Sequence, residues 1–160
     1  MTKEKLKQIL SLKYDPKIVG FLVSEFVKMR ENYWLGDSEK TLIKGARYAE
    51  LCIALLKQST QPKKEIDLNK INFEQYYLFL INLPKKDSMD ELLYLVIPNV
   101  LKGLYSIRNK KDGMHFKLST LYFVDSEYVV NASSWILSQL LLTISEDENE
   151  IETIVESVIK

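Results

Sequence analysis

The segment from Asp37 to Lys57 constrains the fold most, because its apolar residues cover more than one side of a helix. Asp37 or Ser38 can cap its first turn. Its apolar positions are Leu42, Ile43, Ala46, Ala49, Leu51, Ile53, Ala54 and Leu55. A helix with so broad an apolar surface has to be packed on several sides. The sequence therefore predicts a central helix with other helices arranged around it.

Several helix starts can be recognised from capping residues along the chain. Asp15 before Pro16 combines an N-cap with a proline in the first turn. Asn72 and Ser88 each open a segment that resembles a capping box. Asp125 is expected to cap a last long helix, and an acidic helix is expected within 145–160.

The apolar pattern of residues 92–108 is helical but contains Pro98. A proline removes one backbone donor and crowds the preceding turn, so it should kink this helix or divide it in two. Asp112-Gly113 is a turn signal, which predicts that the helix ends just after Arg108.

These patterns together predict the fold class. The short run at 118–124 is the only candidate strand. A chain of 160 residues has the size of one domain. We expect an all-α protein, an irregular antiparallel bundle of five to seven helices, with residues 1–160 forming a single domain.

Composition limits the cellular compartment and the kinds of partner that we expect for this chain. The 22 basic and 22 acidic residues balance, so a strong overall attraction to nucleic acid is not expected, although a local basic patch remains possible. The single cysteine, Cys52, can form no intramolecular disulfide, which favours a cytoplasmic protein. No membrane span, metal site or other cofactor is expected, since the apolar runs are short and there is one histidine.

The candidate chemistry lies in residues 107–115, IRNKKDGMH, which contain the only histidine. Arg108 offers a permanent planar donor fork for a phosphate, and His115 exchanges a proton near neutral pH. If the helix continues, residues seven apart return to nearly the same face; if it breaks, the loop can fold His115 back. Asn109 could orient either side chain or bond a sugar hydroxyl. Such a group can cleave RNA without a metal, through attack of the 2′-hydroxyl on the adjacent phosphate.

Other charged residues are candidates for supporting roles. Four lysines near the pair are predicted to bind substrate phosphates: Lys102, Lys110, Lys111 and Lys117. Arg47 and Glu50 lie three residues apart on one side of the central helix. The pattern favours a surface ion pair, and the alternative is that they support the active-site loop.

The motif resembles that of the HEPN superfamily, which is an arginine, usually a polar residue, and a histidine after four to six intervening residues. Here six residues separate Arg108 from His115. The stretch 97–111, IPNVLKGLYSIRNKK, is similar to a prokaryotic subfamily with the pattern IPRVL…YxIRNKRGVGH, followed by a helix with a tryptophan, here Trp135. The stretch 45–50, GARYAE, is less closely similar to an earlier helix of that subfamily. The resemblance covers about Gly45 to Leu142.

The resemblance implies a helical domain that forms a homodimer and brings two motifs into one composite cleft. It implies a metal-independent endoribonuclease of a defence, abortive-infection or toxin–antitoxin system, with RNA as substrate and an antitoxin or defence-complex protein as a further partner. Arg108 and His115 would then be catalytic and Asn109 supporting. Two departures stand out: Asn99 replaces an arginine, and 112–114, DGM, replaces Gly-Val-Gly.

Two other hypotheses remain open. One is a catalytically inactive HEPN-like module that binds RNA or a protein. The other is a structural protein whose apolar helix faces build an oligomer interface.

Overall fold

Helices make up most of the described structure. The computed structural model describes residues 3–113, 119–144 and 147–159, without the side chains of 109–113, 119–122, 148, 155, 158 and 159. These ranges consist of helices and connecting turns and contain no strand. The prediction of an all-α bundle is confirmed. None of the helices in these ranges combines the length and the apolar character needed to cross a membrane.

The helices follow one another through short connections, except for one longer loop at 61–72. Their bounds are α1 Lys3–Leu10, α2 Pro16–Trp34, α3 Ser38–Thr60, α4 Phe73–Ile81, α5 Ser88–Glu91, a π-helical segment Leu92–Val96, α6 Ile97–Gly113, α7 Ser119–Leu142 and α8 Glu148–Ile159.

Most of the predicted helix starts are confirmed by their capping hydrogen bonds. The side chains of Asp15, Asp37 and Asn72 each accept a hydrogen bond from a backbone N–H three residues later, at 2.9–3.0 Å. Pro16 occupies the first turn of α2. These caps satisfy donors that the first helical turn leaves without partners.

Two predicted caps are wrong. Asp87, not Ser88, caps α5, because its carboxylate accepts from the backbone N–H of Asp90 at 2.8 Å. Asp125 lies inside α7, which begins at Ser119, and is buried there. An acidic residue before an apolar run can be an N-cap or an interior residue of a helix that began earlier, and the local sequence does not distinguish the two.

α3 is the central helix, as predicted. It packs against α2, α4, α6 and α7. Twelve of its residues are buried, and they lie on more than one side: Thr41, Leu42, Gly45, Ala46, Tyr48, Ala49, Leu51, Cys52, Ile53, Ala54, Leu55 and Leu56. The fully buried hydroxyl of Tyr48 donates to the backbone oxygen of Ser133 at 3.0 Å, which joins α3 to α7.

The closest approach of α3 to α7 occurs at Gly45. A Cβ atom built on Gly45 would overlap the Cγ1 atom of Val129, and Val129 is buried. Glycine is needed at this position because only its lack of a side chain lets the two helices come this close.

We predict that Gly45→Ala lowers the free energy of unfolding. The overlap costs about 1–3 kcal/mol, which exceeds the roughly 0.5–1 kcal/mol that alanine contributes over glycine inside a helix. Val129 is β-branched and has few rotamers with which to move away. Gly20→Ala in α2 is the matched control, since nothing lies within 4 Å of its added Cβ. Urea unfolding should show the control to be slightly more stable than wild type; a stabilised Gly45→Ala would contradict the close approach.

Tyr14 joins the connection between α1 and α2 to the residues that follow α7. Its buried hydroxyl is 2.8 Å from Thr143 Oγ1, just beyond the end of α7. Burial, which disfavours the charged phenolate, raises the pKa of Tyr14 from 10.0 to about 12.

This shift predicts a specific alkaline destabilisation. Because the folded pKa is raised, the stability due to Tyr14 is fully present below pH 10 and is lost as the pH rises through about 12. Tyr14→Phe keeps the ring but lacks both the hydrogen bond and the titration. In urea unfolding at several pH values, wild type should be more stable than Tyr14→Phe at neutral pH and should lose that advantage between pH 10 and 12. A difference that does not change with pH would be evidence against this role.

Candidate functional site

α6 carries the arginine of the candidate motif. The sequence predicted that this helix ends just after Arg108, but α6 continues to Gly113. Arginine and lysine are good helix formers, so the helix continues past Arg108. Glycine is common where helices end, and Asp112-Gly113 therefore marks the last residues of α6 and not a turn after it. The motif arginine therefore lies within the helix, more than one turn before its end.

Near Pro98, where the sequence predicted a kink or a division in two, the helix continues but its turn is widened. The segment before it is π-helical, and the backbone N–H of Ile97 donates to the oxygen of Leu92, five residues earlier. Proline has no N–H to donate, and its ring crowds the turn before it, so a wider turn relieves that crowding. Pro98 itself occupies the first turn of α6, where a missing donor costs little.

The predicted catalytic residues are described to different extents. Arg108 is half-buried on α6 and already takes part in an interaction within the chain. Asn109, Lys110 and Lys111 follow it in the last turns of α6, where only the backbone is described. His115 and Lys117 lie outside the described residues. The predicted proximity of the Arg108 and His115 side chains therefore stays a prediction.

Lys102 has partners on α4. Its Nζ atom lies 3.5 Å from a carboxylate oxygen of Glu74 and 4.4 Å from the centre of the Tyr77 ring. Both side chains of the ion pair are largely exposed, and exposed pairs contribute little to stability. A phosphate could therefore compete with Glu74 for this lysine.

Asn99 is fixed by two hydrogen bonds. Its Oδ1 atom accepts from the hydroxyl of Tyr77 at 2.6 Å, and its Nδ2 atom donates to the backbone oxygen of Leu95 at 2.8 Å. The Tyr77 ring is in turn part of a stack with Phe73. At the position where the resembling subfamily has an arginine, this chain has a neutral amide that links α6 to α4. This link could not be predicted, since nothing in the sequence pairs Asn99 with Tyr77.

Arg47 and Glu50 form the predicted ion pair, with 3.3 Å between Arg47 Nη1 and Glu50 Oε2. The other terminal nitrogen of Arg47 donates to the backbone oxygen of Leu68 at 3.2 Å. Arg47 thus connects α3 to the loop at 61–72, which lies between α3 and α4. These contacts agree with the simpler interpretation, a structural ion pair.

Two open clefts of about 430 and 290 Å³ flank this loop. The larger one is lined by cations from α2 and α3 and by two acids of the loop, namely Lys17, Arg47, Glu65 and Asp67. Since charges of both signs face the cleft, it has no clear preference for an anion.

Other reactive groups of the core are unsuited to chemistry. Cys52 is fully buried, and burial raises the pKa of its thiol, so the nucleophilic thiolate is disfavoured. Burial likewise raises the pKa of Tyr48. Within the described residues, no group of three or more His, Cys, Asp or Glu side chains is arranged to hold a metal ion.

Comparison with known proteins identifies no relative of this chain. No protein-family model, no curated protein and no solved structure matches this chain. The resemblance to the HEPN superfamily therefore rests on the residues of the motif and of the stretch that precedes it.

We predict that Arg47→Lys loosens the loop at 61–72. Lysine keeps the charge but lacks the planar fork that bonds Glu50 and Leu68 together. Backbone amides of this loop should exchange faster in hydrogen–deuterium exchange. Lys40→Ala in the same helix is the control, because its pair with Asp37 is 3.9 Å long and exposed. Equal exchange rates of these amides in Arg47→Lys and wild type would contradict the structural role of Arg47.

Proposed function

We propose that this protein is a metal-independent endoribonuclease of the HEPN type, with a composite site across a homodimer. The observation that carries the proposal is the Arg108-Asn109…His115 motif, whose arginine is half-buried near the end of a long helix in an all-α protein. A cytoplasmic defence or toxin–antitoxin system is the proposed setting, with an antitoxin as a further partner. The lone buried Cys52 is compatible with a reducing compartment.

The proposed reaction assigns a role to each residue. His115 takes the proton of a ribose 2′-hydroxyl, and the resulting oxygen attacks the adjacent phosphorus. Arg108 stabilises the charge that develops on the phosphate oxygens, and Asn109 orients the reacting groups. The bond between phosphorus and the 5′-oxygen breaks and this oxygen takes a proton from water, which leaves a 2′,3′-cyclic phosphate and a free 5′-hydroxyl.

The four lysines near the motif would hold the RNA backbone. Lys102 lies six residues before Arg108 on α6, and Lys110 and Lys111 follow in the same helix, with Lys117 beyond it. Contacts of this kind are electrostatic, so affinity for RNA should fall steeply as salt is added.

One observation favours a second candidate function, an inactive HEPN-like module that binds RNA or a protein. Asn99 replaces the subfamily's arginine, and its amide is engaged with Tyr77 and Leu95. It supplies no positive charge for a transition state. A module of this kind would still bind RNA in a salt-dependent way, but without cleaving it.

The test is cleavage of mixed RNA by pure protein in EDTA. We expect wild type to produce fragments with 2′,3′-cyclic phosphate ends. His115→Ala should reduce the rate by about 10²–10⁴-fold, as for loss of a general base, and Arg108→Ala by about 10²–10³-fold, as for loss of one charge-stabilising donor. Lys63→Ala, an exposed lysine of the loop at 61–72, is the matched control.

The outcomes separate the two functions. Cleavage that persists equally in both motif variants would show a contaminating or unrelated nuclease. Salt-dependent RNA binding by folded wild type, without cleavage, would select the inactive module. Absence of both binding and cleavage would favour a structural interaction protein.

A further inference from the structure

The larger of the two clefts beside the loop at 61–72 has two chemically different walls. On the α2 side it is lined by Lys17 and Phe21, which lie one helical turn apart. On the loop side it is lined by Glu65, Asp67 and Asn69. One wall is therefore cationic and aromatic, and the other is acidic with one amide.

The opposite charges on the two walls do not pair with each other. Among the described residues, no ion pair involves Lys17, Glu65 or Asp67. All three residues are exposed. A ligand in the cleft can therefore contact the cation and the acids without first breaking a pair between them.

The acidic wall is held in place by hydrogen bonds. Arg47 on the central helix donates to the backbone oxygen of Leu68 at 3.2 Å. The Asp67 carboxylate accepts from the backbone N–H of Asn69 at 2.9 Å, and the N–H of Lys70 donates to the backbone oxygen of Asp67 at 3.1 Å. A wall that is ordered before a ligand arrives lowers the entropy cost of binding.

Phe21 supplies a flat apolar surface in the same cleft. The residue is 51% exposed, whereas phenylalanine is usually buried. The half-buried Ile66 adds a second apolar side chain to the lining. Exposed aromatic rings are platforms on which flat ligand rings stack. The cleft of about 430 Å³ also falls within the range of roughly 300–1,000 Å³ that is typical of small-molecule sites.

Two simple kinds of ligand do not fit these walls. The acids repel a small anion such as inorganic phosphate, although Lys17 attracts it. A purely apolar ligand would cover the charged groups and leave them without partners, which is costly. The cleft calls for a ligand that combines an anionic group, a flat ring and several neutral hydrogen-bond donors.

We infer that this cleft binds a nucleoside monophosphate. Lys17 attracts the phosphate, and Phe21 stacks on the base. Glu65 and Asp67 accept hydrogen bonds from the ribose hydroxyls, a contact for which carboxylates are well suited. Within the described structure, no residue of α6 lines the cleft. The inference therefore goes beyond the proposed ribonuclease and does not depend on it.

The experiment is a titration of the isotope-labelled protein with adenosine 5′-monophosphate, followed by NMR spectra of the backbone amides. Saturable shifts should be largest for residues 17–21 and 65–69, with a Kd of about 1 mM or tighter. Adenosine lacks the phosphate, and ribose 5-phosphate lacks the base. Each of these two compounds should bind about tenfold more weakly or less.

Substitutions on both walls test the assigned contacts. Lys17→Ala and Phe21→Ala should each weaken binding of the nucleotide by about tenfold or more. Glu65→Gln keeps the size of the side chain but removes its charge, and it should weaken binding as well. The matched controls are Lys28→Ala and Trp34→Ala, which change exposed residues of the same helix outside the cleft. The NMR spectra also show whether each variant is folded.

Several results would overturn the inference. One is the absence of saturable shifts up to about 10 mM nucleotide. Another is equal binding of inorganic phosphate or of L-phenylalanine, which would assign the cleft to a simpler ligand. Equal loss of binding in the control variants would show that the site lies elsewhere. A single-stranded oligoadenylate that binds far more tightly through Lys17 and Phe21 would assign the cleft to RNA and not to a free nucleotide.

Discussion

Burial of α3 on several sides is the constraint on which the rest of the structure depends. A helix that is apolar over so much of its surface cannot face water, so α2, α4, α6 and α7 have to surround it. The polar groups that this arrangement buries then need partners, and Tyr48 obtains one from the backbone at Ser133. The close contact of Gly45 with Val129 fixes how near α7 lies to this centre. The positions of α6 and α7, and hence of the candidate site, follow from the packing of α3.

Pro98 lies at the start of the helix that carries the candidate site. The segment before it is π-helical, and the buried side of this segment, at Leu93, continues into α6 at Ile97, Leu101 and Leu104. Beyond this point α6 runs without interruption past Arg108 to Gly113. A half-buried arginine on a continuous helix has a more restricted orientation than one on a loop. This restriction suits a residue that is proposed to stabilise a transition state, since such groups act best when they are preorganised.

The partners of the polar groups around α6 weigh on the choice between the two proposed functions. Lys102 is paired on the surface with Glu74, and such a pair can give way to a phosphate. Asn99 is different, because both ends of its amide are bonded and it has no charge to contribute. Among the described side chains, α6 therefore offers Lys102 for a phosphate but no cation at position 99. The proposed catalysis would depend on Arg108 and His115, which makes the two single substitutions decisive.

The sequence by itself determined the all-α class, the central position of α3, the caps at Asp15, Asp37 and Asn72, and an irregular helix near Pro98. Each of these depends on local periodicity or on one residue's own backbone chemistry. Only the tertiary structure decided which partners distant residues have: Asn99 with Tyr77, Arg47 with the loop at Leu68, and Tyr128 with Gly103. The caps at Ser88 and Asp125, and the end of α6, were predicted wrongly because local signals fit more than one boundary. Pairings between helices depend on how the apolar faces pack together, and periodicity along one helix carries no information about which neighbour its exposed side will meet.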